Sequence, residues 1–378
     1  MKNFPFLIAL AGLALIGAAQ NTQVQTVETK KTIAVKKSPT PVKKTSSAAG
    51  VKKAAPNSQT STSGTNAAKK SSVPMPAATS SAKKAAPKRD DKAELDGALG
   101  IADPEQKITA LSKFLKDFSR SELRSRAAES LTAARAAVGD TKLQAGDREN
   151  GLKLTRLAIS EAPVPYPDKL FTEVIARVPT TLALRGEPVV AIEIASAVEK
   201  HSTTAAQLLA LANFYLSIEN ADEARRLAEA ALKLNEKSRD AYLALGMASR
   251  LNFDLEGASA AFEKAAELDA DSVSARQSLA EMKRALGKPE EALAIYTALL
   301  EKDGTDSRSR DGRILALFDS GKRSDAETEL GKAIESNPGN FVLLAGAAYW
   351  YAAKGESTKA IDLAGKAIAA EPRLESAP

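Results

Sequence analysis

The chain has 378 residues, a formal net charge of +6 and no cysteine. The charge is unevenly placed: residues 20–89 hold 14 Lys and Arg against the single acid Glu28, a balance of +13, whereas residues 90–378 carry −8. A nucleic-acid surface inferred from net charge would therefore fall on the wrong part of the molecule, and the missing thiols exclude a disulfide framework, a zinc–thiolate site, a cysteine nucleophile and a lipoprotein attachment cysteine.

Residues 1–19 read as a secretory signal peptide. Lys2 gives the positive start, residues 4–16 are apolar apart from Pro5 and glycine, and Gly17-Ala18-Ala19 offers small residues for cleavage before Gln20. The apolar run is shorter than the ~20 residues of a bilayer span, which favours a cleaved leader over the alternative of a retained anchor. Export to the periplasm or cell envelope of a bacterium is the expectation.

Residues 20–89 are built from Lys, Ala, Ser, Thr and Pro, with no leucine and no aromatic residue. Such a segment cannot bury enough apolar surface to offset the entropy of ordering and is expected to be a disordered linker. Lys-Lys pairs begin at residues 30, 36, 43, 52, 69 and 83, spreading cationic charge along the linker. That suits a spacer first, and salt-dependent contact with anionic envelope polymer or lipid second. Without aromatic residues for base stacking, no nucleic-acid partner is expected.

Residues 90–204 read as helical but irregular. Asp103-Pro104-Glu105 supplies a helix start, followed by an apolar stripe at Ile108, Leu111, Phe114 and Leu115. Residues 113–119 resemble the second helix of repeats in exported envelope proteins. Further helices are expected over 121–138 (Leu123, Ala127, Leu131 and Ala134 on one face), 146–159, 168–178 and 188–200. The last two form a degenerate repeat, since Gly186 precedes Ala191 by five residues as Gly355 precedes Ala360. The segment from Pro163 to Pro167 breaks the array ahead of it.

From Ala205 the chain becomes periodic. Ala224, Ala258, Ala292, Ala326 and Ala360 recur every 34 residues without insertion or deletion, a period that belongs to a helix–turn–helix solenoid. Two helices cross at about 8–10 Å only where the contact residues are small. Alanine meets that need without the helix penalty of glycine. A second small column, Ala231, Ala265, Ala333 and Ala367, is interrupted by Leu299. Asn220 with Glu223 and Ser324 with Glu327 have capping-box spacing, and Pro289 suits a first helical turn.

These residues resemble the tetratricopeptide repeat family over five consecutive units: 205–238, 239–272, 273–306, 307–340 and 341–374. Leu211-Ala212, Leu245-Gly246 and Leu279-Ala280 match the large–small pair of the first helix, Tyr215 and Tyr351 its aromatic position, and Phe262, Tyr296 and Leu330 the bulky position of the second. Pro338 and Pro372 fall at the loop position. Arg313-Ile314 departs from the pattern, and Ala347-Ala348 fits it less well. The resemblance implies an all-α, right-handed superhelical solenoid, here preceded by the disordered tail.

The resemblance further implies a concave face lined by the first helices: Asn213 and Leu216; Leu243, Met247 and Arg250; Gln277, Glu281 and Arg284; Arg308, Asp311, Leu315 and Phe318; and Tyr349. Arg250 and Arg284 share one repeat position and are expected to stand side by side among apolar neighbours. That mixture suits a peptide with an acidic group and apolar anchors. The alternative is that the arginines pair with Glu281 and Asp311 in the free protein. The Lys/Asn set with which family members clamp a C-terminal carboxylate is absent. No further first helix follows the fifth unit before Pro378, so its outer edge, with Leu363 and Ile368, is expected to pack on a partner or another copy, or to be tolerated bare.

Residues that could carry chemistry are few. His201 is the only histidine and ends a helix without companions. Asp269-Ala270-Asp271-Ser272 opens like a calcium loop but lacks its central Gly and closing Glu. No phosphate-binding glycine loop or nucleophile elbow occurs. No enzyme, cofactor or metal site is expected. The reading is an exported, non-catalytic scaffold that binds a protein or peptide in cell-envelope assembly or secretion. The alternative is a protein acting through its basic tail, with the repeats as spacer.

Overall fold

The computed structural model describes residues 89–370. The expected signal peptide, the expected linker up to residue 88, Pro372 and the last residues of the fifth unit lie outside the described residues. Among the described residues there is no strand, and no helix is long and apolar enough to cross a membrane.

Five hairpins follow the 34-residue period. They are α8 (Ala205–Ser217) with α9 (Ala221–Leu234), α10 (Arg239–Leu251) with α11 (Leu255–Leu268), α12 (Val273–Ala285) with α13 (Pro289–Lys302), α14 (Ser307–Asp319) with α15 (Arg323–Ser336), and α16 (Phe341–Ala353) with α17 (Ser357–Ala370). Each first helix starts on the first residue of its expected unit. The helix starts are set by local chemistry. The side chains of Asn220, Ser238, Asp254, Ser272, Asp306 and Asn340 each accept a hydrogen bond from the backbone N–H three residues on, satisfying one of the free donors of the first turn. Thr204 and Gln207 form a reciprocal capping box that the sequence reading missed.

Two expected caps differ. Asn220 receives the Glu223 N–H, but the Glu223 carboxylate pairs with Arg226 and does not return the bond. Ser324 is not a cap at all: α15 begins one residue earlier, at Arg323, and Glu327 turns instead to Arg323, Tyr351 and Lys359.

The alanine ladder is buried throughout, and the bulky residues beside it require room in the opposing helix. A Cβ on Gly246 would lie 2.5 Å from the Phe262 ring, and one on Gly312 would lie 2.3 Å from the Tyr296 ring. Glycine is thus the complement of the aromatic side chain, within a hairpin for Gly246 and between hairpins for Gly312. Where the first helix departs from the large–small pattern at Arg313, α14 and α15 pack less closely than the other repeat hairpins. Arg313 bridges them through Glu329, 2.9 Å away.

Second helices α9, α11 and α13 pack closely on the first helix that follows, whereas the step from α15 to α16 is looser. First helices also touch from unit to unit (α8 with α10, α12 with α14, α14 with α16), which second helices do less. The first helices therefore share one face of the array.

The preceding residues form α1 (Asp91–Gly100), α2 (Pro104–Asp117), α3 (Arg124–Gln144), α4 (Arg148–Ser160), α5 (Asp168–Glu173), a 3₁₀ turn (Ile175–Arg177), α6 (Val178–Leu184) and α7 (Pro188–Glu199). The expected helix over 168–178 is broken: Val174 leaves helical geometry (φ −126°, ψ −68°), and Pro179, which has no N–H to continue a ladder, sits in the first turn of α6. The degenerate repeat is therefore α6–α7, joined through Gly186 at φ +78°. The expected helix over 121–138 starts three residues later and runs on to Gln144.

A second degenerate hairpin, α3–α4, was not read from the sequence. It turns at Gly146 (φ +81°) and places Gly151 five residues later, where the ladder has alanine. A Cβ on Gly151 would stand 2.7 Å from Leu143, and one on Gly139 2.6 Å from the Thr155 hydroxyl. One apolar core runs from Leu152 in α4 to Ala248 in α10 without interruption, joining the irregular hairpins to the regular array.

Candidate functional site

The shared face of the first helices carries most of the expected lining residues, but in varied settings. Asn213 is exposed, as is Met247 at 40%. Leu216, Leu243, Leu315 and Tyr349 are half-buried. Two expectations fail on burial. Gln277 is only 5% exposed, its amide donating to Asp306 (2.8 Å) and Ser309 (3.1 Å). Phe318, at 1%, packs inside against Trp350, the rings tilted by 38° with centroids 4.6 Å apart. Both hold repeats together and offer a partner almost no surface.

The charged residues form a chain of inter-repeat pairs. Glu281 on α12 is approached from both sides: Arg308 on α14 donates to Oε1 (2.7 Å), and Arg250 on α10 lies 3.7 Å from Oε2. That Oε2 is buried and receives no hydrogen bond. Arg284 does not stand beside Arg250 as a free pair; it reaches one repeat onward to Asp319, 2.9 Å away. Asp311 takes no arginine either. It accepts from the Asn340 amide at 2.7 Å, and burial pushes its carboxyl above the ordinary carboxylate range against that hydrogen bond. Burial works against the Arg308 guanidinium, but Glu281 more than offsets it and holds the group above its ordinary value.

Three arginines thus share two acids on one face. Asp319 was missed from the sequence, although it directly follows Phe318, which was among the expected lining residues. A signal was available: Arg250–Glu281, Arg284–Asp319 and Arg225–Asp254 are opposite charges separated by 31, 35 and 29 residues, close to one repeat.

Residues 240–272 match the family model described as tetratricopeptide repeat. The chain carries tetratricopeptide repeats. Among solved structures, a tetratricopeptide repeat protein from Parabacteroides merdae is similar with a TM-score of 0.50 and 19% identity, over 65% of this chain and 94% of that one. YrrB, described as a repeat protein of this kind with an unusual peptide-binding site, gives 0.37 and 23% over 47% and 92%. The pilF protein of Pseudomonas aeruginosa gives 0.40 and 20% over 56% and 94%. At these identities the likeness shows the fold. No curated protein matches the sequence.

A second cluster joins the fourth and fifth tetratricopeptide repeats where the start of α15 meets the end of α16 and the start of α17. Arg323 forms a two-point pair with Glu356 (2.6 and 2.8 Å), and its guanidinium carbon lies 5.7 Å from the ring centroids of both Trp350 and Tyr351. Glu327 accepts from the Tyr351 hydroxyl (2.8 Å) and from Lys359 (3.0 Å). The Tyr351 bond, followed by Lys359 and Arg323, holds the Glu327 carboxyl down to about 2 despite partial burial. A depressed carboxylate contributes stability that is complete above its ordinary 4.5 and is lost as pH falls toward 2. Glu327→Gln should therefore melt below the wild type at neutral pH, by about 1 kcal/mol given solvent screening. The two melting curves should converge as the pH is lowered from 4.5 to 2, which thermal denaturation across that range checks.

Among the described residues no group of acids or histidine could hold a metal ion. His201 follows α7 and packs edge-on against Tyr166 at 6.1 Å between ring centroids, a structural contact.

Proposed function

We propose that the repeats are a non-catalytic scaffold that captures a protein or peptide segment on the shared face of the first helices, and that the segment carries an acidic group beside an apolar anchor. One observation carries this reading: Arg250, Arg284 and Arg308 are matched by only Glu281 and Asp319, next to the exposed Met247. With Asp311 the face is balanced in formal charge, but two of its guanidinium groups share the single Glu281 carboxylate beside an apolar neighbour, within an array whose residues 90–378 are net negative. The signal-peptide features of residues 1–19 support placing this scaffold in the cell envelope, in assembly or secretion.

A pull-down from envelope extract with wild type and with Arg250→Glu/Arg284→Glu tests it. The variant is expected to lose the main partner while keeping its helicity. Identical partner lists would reject the face.

The +13 balance of residues 20–89 supports a second reading, in which the tail holds the protein to anionic envelope polymer or lipid. Deleting residues 20–89 should then abolish salt-sensitive sedimentation with envelopes; retained sedimentation rejects this reading.

A further inference from the structure

Away from the face of Arg250 and Arg284, a cavity of about 230 Å³ lies between α3 and α6. Along its middle α3 presents only alanines to it, Ala133, Ala136 and Ala137. The residues from Pro163 to Pro167 lengthen the link between the two hairpins, and α3 and α6 touch less closely than α8 and α10 do. The opposite wall is Val174, Val178 and Leu182. One end is closed by Asp140 of α3, which accepts two hydrogen bonds from Arg185 just past α6 (2.7 and 3.1 Å) and so ties the helices together. At the other end, ahead of α6, the lining includes Glu173 and Arg177. On an unbroken helix an acid and a base four residues apart pair with each other. Here the break at Val174 lies between them. Among the described residues neither side chain has an ion-pair or hydrogen-bond partner, and the half-buried Thr181 hydroxyl, also in the lining, has none either.

We propose that this cavity binds a free α-amino acid whose apolar side chain is of leucine or methionine size. The lining selects that class. An apolar cavity with a few placed polar groups is the usual form of a small-ligand site, and this one is smaller than the ~300–1,000 Å³ that drug-sized ligands occupy. A nucleotide or flavin is too large for it. The free charges are one cation and one anion, so a fatty acid or an alkylamine would satisfy half of the site. An α-amino acid satisfies both. The Arg177 guanidinium donates to the carboxylate through paired N–H groups, the Glu173 carboxylate accepts from the ammonium, and the Thr181 hydroxyl can serve either. The side chain then lies between the alanines of α3 and Val178 and Leu182 of α6. Size bounds the affinity: a ligand of about ten non-hydrogen atoms held by solvent-facing charges has a dissociation constant of about 0.1–1 mM.

Isothermal titration of the full chain with L-leucine and L-methionine, up to about 10 mM, tests this. Saturable binding is expected in that range. Glycine, isocaproate and N-acetyl-leucinamide, which lack the side chain, the ammonium or both charges, should each bind at least about tenfold more weakly. Arg177→Gln and Glu173→Gln should each weaken leucine binding about tenfold with unchanged melting, because both side chains are exposed and unpaired in the free protein. Ala136→Leu should abolish binding by filling the cavity. Failure of both amino acids to bind saturably overturns the proposal. Isocaproate binding as tightly as leucine overturns it by making the ammonium irrelevant. N-acetyl-leucinamide binding as tightly would make the cavity a peptide anchor and overturns it equally, as does leucine binding that is unchanged in both glutamine variants.

Discussion

Gly246→Val is expected to lower the stability of the array by about 3 kcal/mol, at the upper end of core overpacking, although glycine is the poorer helix former. The reason lies in one contact. Position 246 is in the first helix of its hairpin and faces the Phe262 ring of the second, and the first carbon of any side chain there would stand 2.5 Å from that ring. Both residues are buried, so the ring has no solvent to turn into. The hairpin must therefore splay or the ring leave its rotamer. Splaying would also loosen α12, which packs on the far side of α11. The test is a double-mutant cycle with Phe262→Leu, read by urea unfolding. The leucine variant alone loses packing, but in the Gly246→Val background it should recover at least about 1 kcal/mol through the coupling of neighbours. Additive losses would show that the glycine–aromatic contact does not set the helix spacing.

Glu281→Gln should have two opposite effects. Stability should fall by about 1–3 kcal/mol, because two guanidinium groups, from α10 and α14, lose a mostly buried counter-charge. Affinity for the acidic partner should rise about fivefold, since the internal competitor for Arg250 and Arg308 is gone. Thermal melting reports the first effect and titration of the captured partner the second. A variant that is both less stable and a weaker binder would mean that Glu281 organises the face rather than competing on it.

How far the sequence reveals this molecule depends on which contacts repeat. The ladder from Ala224 to Ala360 was legible because every hairpin needs a small residue at the same crossing, so one physical demand recurs at a fixed interval. The hairpin α3–α4 meets the same demand with Gly151, but the residues from Pro163 to Pro167 stretch the distance to Ala191 to 40 residues and hide the period. The break at Val174 was likewise invisible to periodicity, since Leu170, Phe171, Ile175 and Val178 keep an apolar spacing across it and all are buried. The face was legible in outline only. Repeat position assigns Gln277 and Phe318 to the lining, whereas their burial is decided by neighbours one repeat away, Asp306 with Ser309 for the first and Trp350 for the second. The arginine pairing could have been anticipated by seeking opposite charges about one repeat apart.

The claim that a partner lies on the shared face of the first helices is tested most directly by site-specific photo-crosslinking. A photoreactive side chain at Met247, which is exposed beside Arg250, is compared in envelope extract with one at Glu263, exposed on the second helix of the same hairpin. The account predicts a discrete cross-linked partner from position 247 that is lost in the Arg250→Glu/Arg284→Glu background, and none from position 263. The same partner captured from 263 and not from 247 would contradict it.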